Sequence, residues 1–188
     1  MSRPAVLLDR DGVLNVVIRG EYVRNVSQFQ WLPGAREAIG RLTEAGWPVV
    51  VVTNQSGISR GFFSAADLED VHQAMRRDVE PFGGHIAGFY YCPHQDHEAC
   101  ECRKPLPGLL HQAAEDLDLD LSHSFFIGDT ETDMRAGRAA GCRVLAVKSG
   151  LSSTEEIARW SPAPERIFPT ILDAVEWLNA VPSPTARI

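Results

Sequence analysis

The sequence has no long apolar run. Its longest run of β-branched aliphatic residues is Val49–Val52, and only four apolar residues separate Pro4 from Asp9. A secretory core needs about 7–15 apolar residues and a membrane span about 20. The expectation is a soluble, cytoplasmic protein with no leader and no membrane partner. Basic charge is also short. The formal net charge is −7, and an acidic chain gains little counterion release on a phosphate backbone. Nucleic acid is therefore not the expected partner, and a phosphorylated substrate would need a metal or specific cations against repulsion. Repeats and low-complexity segments are absent. Cysteines are few, four in all, and three of them (Cys92, Cys100 and Cys102) fall within eleven residues. That is not the spread of a disulfide framework; in a cytoplasmic chain such a cluster points to a metal.

What is present suits one folded domain. The 188 residues are 44% hydrophobic and 23% charged, enough to bury a core. One domain is expected over residues 1–180, with a loop at 92–105 and a loose tail at 181–188 that carries two prolines. Short β-rich runs at Ala5–Leu8, Pro48–Thr53, Ile86–Cys92, Phe125–Gly128 and Val144–Val147 alternate with helical periodicity at about 34–45, 65–79, 109–117, 132–140 and 170–178. Ala38, Leu42 and Ala45 form one helical stripe, and Leu68, Val71 and Met75 another. Ser64 suits an N-cap, and Gly46 and Gly141 stand where helix C-caps belong. Alternating strands and helices with continuous apolar strands predict an α/β fold around a parallel sheet. Ligands in such sheets bind beyond the carboxyl ends of the strands.

Three strand ends carry polar groups suited to chemistry. Ala-Val-Leu-Leu runs into Asp9-Arg10-Asp11-Gly12, where one carboxylate can attack or bind metal while the other handles protons. The same pair in an Asp-Gly turn would simply be solvated. Val49–Val52 runs into Thr53-Asn54-Gln55-Ser56-Gly57, whose hydroxyl, amide and loop N–H groups suit a phosphate oxygen. Phe126-Ile127-Gly128 runs into Asp129-Thr130-Glu131-Thr132-Asp133, which could also be an N-cap cluster. Cys92, Cys100 and Cys102 with one histidine make a Cys₃His set suited to structural zinc. Spacing alone does not choose between His94 and His97. Arg103 and Lys104 follow the last cysteine directly. Cys142 stands apart, as a buried thiol would.

The ordered set D-x-D-G, T-N, Lys, G-D-x-x-x-D resembles the haloacid dehalogenase superfamily of phosphotransferases, over Ala5 to about Gly150. The resemblance implies a Rossmann-like three-layer sandwich, Mg²⁺ and an aspartyl-phosphate intermediate. It makes Asp9 the nucleophile and Asp11 the general acid and then base. Thr53 would hold the phosphoryl group, Lys104 would neutralise it, and Asp129 would bind Mg²⁺ with Asp9 and Asp11. Asp133 would support that shell. The stretches C-P-H-x₅-C-x-C-R-K-P-x-P-G, D-R-D-G-V-L-N and T-N-Q-S-G are similar to one branch of the superfamily, which has a zinc loop and no large cap domain. That branch includes heptose-bisphosphate phosphatases and histidinol-phosphate phosphatase domains. Ser56 and the run Ile58–Phe63 favour the heptose side. The resemblance then implies Cys92, His94, Cys100 and Cys102 as zinc ligands. It places Arg19, Tyr22, Asn54, Gln55, Ser56 and Arg103 against a small sugar phosphate. A monomeric enzyme is expected. Histidinol-phosphate hydrolysis is the alternative, and a non-catalytic zinc-binding interaction module a further one.

Overall fold

A computed structural model describes residues 2–180; the expected loose tail lies outside the described residues. The strands are β1 (Val6–Leu8), β2 (Val49–Asn54), β3 (Ile86–Cys92), β4 (Phe125–Gly128), β5 (Arg143–Val147) and β6 (Arg166–Phe168). They form one sheet in the order β3-β2-β1-β4-β5-β6, and every pairing is parallel. The helices are α1 (Ala35–Glu44), α2 (Ala65–Val79), α3 (Gly108–Leu117), α4 (Glu131–Ala139), α5 (Thr154–Ile157) and α6 (Ile171–Ala180).

The β-rich runs become central strands because both of their faces are apolar. Val6, Leu8, Val49, Val51, Ile127 and Leu145 point to a core shared with α1, α2 and α6. Their neighbours Leu7, Val50, Val52, Phe126, Val144 and Ala146 point to a second core with α3 and α4. Successive strand residues face opposite ways, so an unbroken valine run can serve two helical layers at once. The result is a three-layer α/β sandwich. Ser64 caps α2, its Oγ accepting from the Asp67 N–H at 3.1 Å. Gly46 follows α1 and Gly141 follows α4 with φ of +82° and +88°, the left-handed geometry of a helix stop.

Two elements go beyond the expected set. β6 is three largely exposed residues at the sheet edge, with no apolar run to mark it, and α5 is a single turn, too short to show a period. The aperiodic stretch 10–33 contains a 3₁₀ turn at Val26–Gln28 and isolated bridges of Asn15 to Asp11 and to Trp31. The strand order reverses at β1, flanked by β2 and β4, and a crevice opens beyond the carboxyl ends there. The ends of these three strands carry Asp9, Thr53 and Asp129.

Candidate active site

Register places the three strand ends level. Leu8 pairs with Val51 and with Ile127, and the Asp9 N–H donates to the Ile127 carbonyl at 2.9 Å. Asp9, Thr53 and Asp129 therefore surround a cleft of about 210 Å³, walled also by Asp11, Lys104 and Asp133. Val17 and Leu151 supply apolar walls. Gly12, with φ +87°, turns the chain directly beneath Asp129; a Cβ there would run into the Asp129 carboxylate.

Lys104 arrives from the loop after β3, and its ammonium is buried. Nζ donates to Asp9 Oδ1 at 2.7 Å and to the Val52 carbonyl at 3.0 Å, and meets Asp133 Oδ1 at 2.7 Å. Burial alone would lower its pKa, but Asp133 and Asp9 outweigh that and hold it above the ordinary lysine value. Asn54, at the end of β2, grips the Lys104 backbone twice. Its Nδ2 donates to the Lys104 carbonyl and its Oδ1 accepts the Lys104 N–H, each at 3.1 Å. Asp133 also opens α4: its Oδ2 accepts the Thr130 N–H at 3.1 Å and the Thr130 hydroxyl at 2.6 Å. The N-cap reading and the site reading of this motif are thus both satisfied by one carboxylate.

The acids outnumber the cation. Asp9, Asp129 and Asp133 each offer an oxygen within 4.8 Å of the others, and Lys104 is the one ammonium among them. Burial, and then the neighbouring charges of Asp9 and Asp133, push the Asp129 carboxyl well above its usual range. For Asp9, burial raises the pKa to about 7 despite the pull of Lys104. Asp129 Oδ1 is buried with no protein partner. Three acids share one ammonium, and Asp129, on the cleft wall, keeps one oxygen without a protein partner. This set fits a divalent cation with oxygen ligands.

Asp11 sits in a different environment. Arg10 Nη2 donates to both of its oxygens at 3.0 and 2.9 Å, Asn15 Nδ2 to one at 2.9 Å, and Gln55 Nε2 to the other at 2.8 Å. Burial works against the charge, yet Arg10, Asn15 and Gln55 together hold the Asp11 pKa below the usual value. Gln55 Nε2 also donates to Thr53 Oγ1 at 2.9 Å, so one amide ties two motifs. Arg10 is completely buried. Its part in the site, like that of Asn15, was not read from the sequence; its one signal was a charged residue lodged between two acids.

The cysteine loop gathers four donors. Cys92 Sγ lies 3.8 Å from Cys100 Sγ and 3.1 Å from Cys102 Sγ, and His94 Nδ1 lies 3.5 and 3.3 Å from Cys92 and Cys102. Zn–S bonds near 2.3 Å place tetrahedral sulfurs about 3.8 Å apart, so the cluster fits a closed tetrahedral site. His94 is the histidine that joins it, and His97 is exposed. Cys142 is buried beneath α4, apart from the cluster.

The expected sugar contacts are less uniform. Asn54 and Arg103 line a second lobe of the cleft. Gln55 is buried beneath the reaction cleft. Tyr22 Oη and Ser56 Oγ are 3.0 Å apart, and the Tyr22 ring packs on Phe62 and Phe63. Arg19 is exposed; the Ser153 N–H and hydroxyl hold the Glu156 carboxyl of α5 below its usual range, and the charges of Arg159 and Arg19 add to that.

Two family models match this chain. The first, for haloacid dehalogenase-like hydrolases, covers residues 6–74, and the second, HAD-hydrolase-like, covers residues 101–174. A D-glycero-beta-D-manno-heptose-1,7-bisphosphate 7-phosphatase of Pseudomonas aeruginosa is 44% identical over 150 residues, 80% of this chain and 84% of that protein. The chain belongs to the haloacid dehalogenase-like hydrolases. A protein of the same name from Haemophilus ducreyi is 35% identical over 95% of this hydrolase and 100% of its own length. Among solved structures, this hydrolase is similar to D,D-heptose 1,7-bisphosphate phosphatase from B. bronchiseptica, complexed with magnesium and phosphate. The TM-score is 0.86 at 37% identity, over 93% of this chain and 97% of that one.

Proposed function

We propose that this hydrolase is a Mg²⁺-dependent phosphatase that removes the 7-phosphate of D-glycero-D-manno-heptose 1,7-bisphosphate. The observation that carries the reading is the buried Asp9–Lys104–Asp133 contact beside the unpartnered Asp129 oxygen. It gathers Asp9, Lys104 and Asp129 around one small cleft, which supports reading them as nucleophile, cation and metal-ligating acid. The named relatives support the sugar and the position of the phosphate. Asp9 attacks phosphorus, and the bond to the sugar oxygen breaks. Lys104 and Thr53 then hold the equatorial oxygens, where charge develops. Asp9, Asp129 and the Asp11 backbone carbonyl would hold Mg²⁺, which when bound neutralises phosphoryl charge as a Lewis acid.

Asp11 handles protons. Inside its cage of Arg10, Asn15 and Gln55 it is a carboxylate, the form that takes a proton from the water that hydrolyses the aspartyl-phosphate. To protonate the leaving sugar oxygen it must first be protonated and turned out of that cage. Arg103 recognises the substrate from the second lobe, and Tyr22 and Ser56 form a wall toward the sugar. Zinc in the Cys92–His94–Cys100–Cys102 site serves structure, since four protein ligands leave no open position. We take the enzyme to be a cytoplasmic monomer acting on a small molecule.

Phosphate release from a panel tests the reading. Both anomers of the heptose bisphosphate should be tried, with histidinol phosphate and a 3′-phosphorylated oligonucleotide beside them. Turnover should be fastest on a heptose bisphosphate, retain the 1-phosphate and require Mg²⁺. Preference for histidinol phosphate would replace the substrate, and loss of the 1-phosphate would reverse the orientation.

A further inference from the structure

The second lobe of the cleft, about 330 Å³, is walled by Asn54, Asp96, Glu98, Arg103, Lys104 and Thr132, among others. Asn54, Lys104 and Thr132 also wall the reaction cleft, so the lobes adjoin. The Lys104 ammonium is committed to Asp9, Asp133 and the Val52 carbonyl. Arg103 is the remaining cation on the lobe's walls. Its Nη1 is fixed by the His94 carbonyl at 3.1 Å. Its Nε and Nη2 both reach one oxygen of Asp96, at 2.6 and 2.5 Å. The Arg103 side chain is 23% exposed and that of Asp96 82% exposed. Glu98, in the same lobe, is turned elsewhere: it accepts from the Ser59 hydroxyl at 2.5 Å and the Gln95 N–H at 2.6 Å.

We infer that Asp96 is a specificity-determining residue, an internal carboxylate that occupies the anion-binding edge of Arg103 until a distal phosphate of the substrate displaces it. This deepens the proposed function and rests on it. The guanidinium is held from behind by a backbone carbonyl, so its fork keeps its orientation when Asp96 leaves. A phosphate accepts both arms of that fork with a stronger, bidentate, charge-assisted pair. Asp96 is largely in solvent and held end-on through one oxygen, the kind of ion pair that is worth little. A sugar carrying one phosphate has nothing to exchange with Asp96 and leaves the pair closed. A sugar bisphosphate opens it, at an affinity reduced by the competition.

The test uses the Mg²⁺-loaded enzyme and two substrates, the heptose 1,7-bisphosphate and the heptose 7-phosphate that lacks the distal group. The readout is the ratio of their KM values. Asp96→Asn should lower the KM for the bisphosphate relative to the monophosphate by about fivefold, the upper worth of an exposed ion pair. The gain should vanish in an Arg103→Ala background. Glu98→Gln removes the same charge from the same lobe without touching Arg103, and should leave the ratio unchanged. Equal shifts in Asp96→Asn and Glu98→Gln, or a gain that persists without Arg103, would overturn the assignment. If neither heptose is turned over, the substrate reading fails separately. Calorimetric binding of fructose 1,6-bisphosphate against fructose 6-phosphate then decides. Tighter bisphosphate binding in Asp96→Asn upholds the role of Asp96, and equal binding rejects it.

Discussion

Lys104 balances two buried carboxylates with one ammonium, and the balance is tilted toward negative charge. Burial first, and the charge of Asp133 after it, lift the Asp9 pKa to about 7 even with Lys104 at 2.7 Å. Asp9→Asn keeps the shape and an oxygen for Lys104 to reach, while removing one buried charge. Turnover should fall by about 10³-fold or more, as when a nucleophile is removed, and the melting temperature should not fall. Phosphate release and a thermal melt check both, and a folded, fully active variant would exclude attack by Asp9. His72 presents a different imbalance. Its ring stacks on Phe89 at 4.1 Å, with Nε2 buried and unpartnered. Burial first, then the charges of Arg10 and Arg76, push its pKa down to about 3. Above the ordinary value of 6.5 both folded and unfolded states leave this ring neutral. Between 6.5 and about 3 only the unfolded chain takes the proton, so stability falls with falling pH by about 1.4 kcal/mol per unit. Urea titrations at pH 7 and pH 5 should show His72→Gln losing less stability than the parent. An identical loss in both proteins would remove His72 as the source.

At the scale of elements, the important join is between β2 and the loop after β3. Asn54 and Lys104 are fifty positions apart in sequence, yet the amide clasps the lysine backbone with two hydrogen bonds. Each is worth about 1 kcal/mol net. Asn54→Ala should lower kcat by about tenfold or more through misplacement of the ammonium, with the metal content of the cysteine loop unchanged. Loss of metal, or a change in KM alone, would assign Asn54 elsewhere. This join marks where the sequence was legible and where it was not. The strand ends bearing Asp9, Thr53 and Asp129 could be read because apolar runs stop abruptly at polar residues, and each helix stripe was regular. β6 was invisible because it is a largely exposed edge strand without the apolar run that marks β1 and β4, and α5 because one turn carries no period. Arg10, Asn15 and Gln55 converge on Asp11 through turns that no local pattern encodes. Spacing did not separate His94 from His97; the family resemblance pointed to His94, and in the fold His94 is the one that reaches the thiols. Asp133 was read as supporting, and its second task, closing the first turn of α4, follows from its position three residues after Thr130.

At the scale of the molecule, the parallel sheet supplies a rigid floor and the cysteine loop a roof hung over one side of it. The roof holds little apolar surface of its own; Cys100 and Cys102 only partly bury against the second core. The convergence of Cys92, His94, Cys100 and Cys102 is the loop's main internal contact, and Lys104 lies two residues beyond the last thiol. Cys100→Ser/Cys102→Ser should lose one zinc per chain by elemental analysis, lower the melting temperature by several degrees, and reduce turnover by displacing Lys104. Zinc-free protein with unaltered stability would remove the structural role.

The composition turns the burial of Lys104 into a chemical reporter. The chain contains only two lysines, Lys104 and Lys148. Lys148 is exposed and Lys104 is 3% exposed with all three of its donor directions used. An amine-selective acylating reagent applied to the native protein should label Lys148 and the α-amino group and spare Lys104. Mass spectrometry would then read a further label only on chains whose site had opened. Counting that label against time, with and without a chelator, measures how often the ammonium escapes its pocket, with no substrate required.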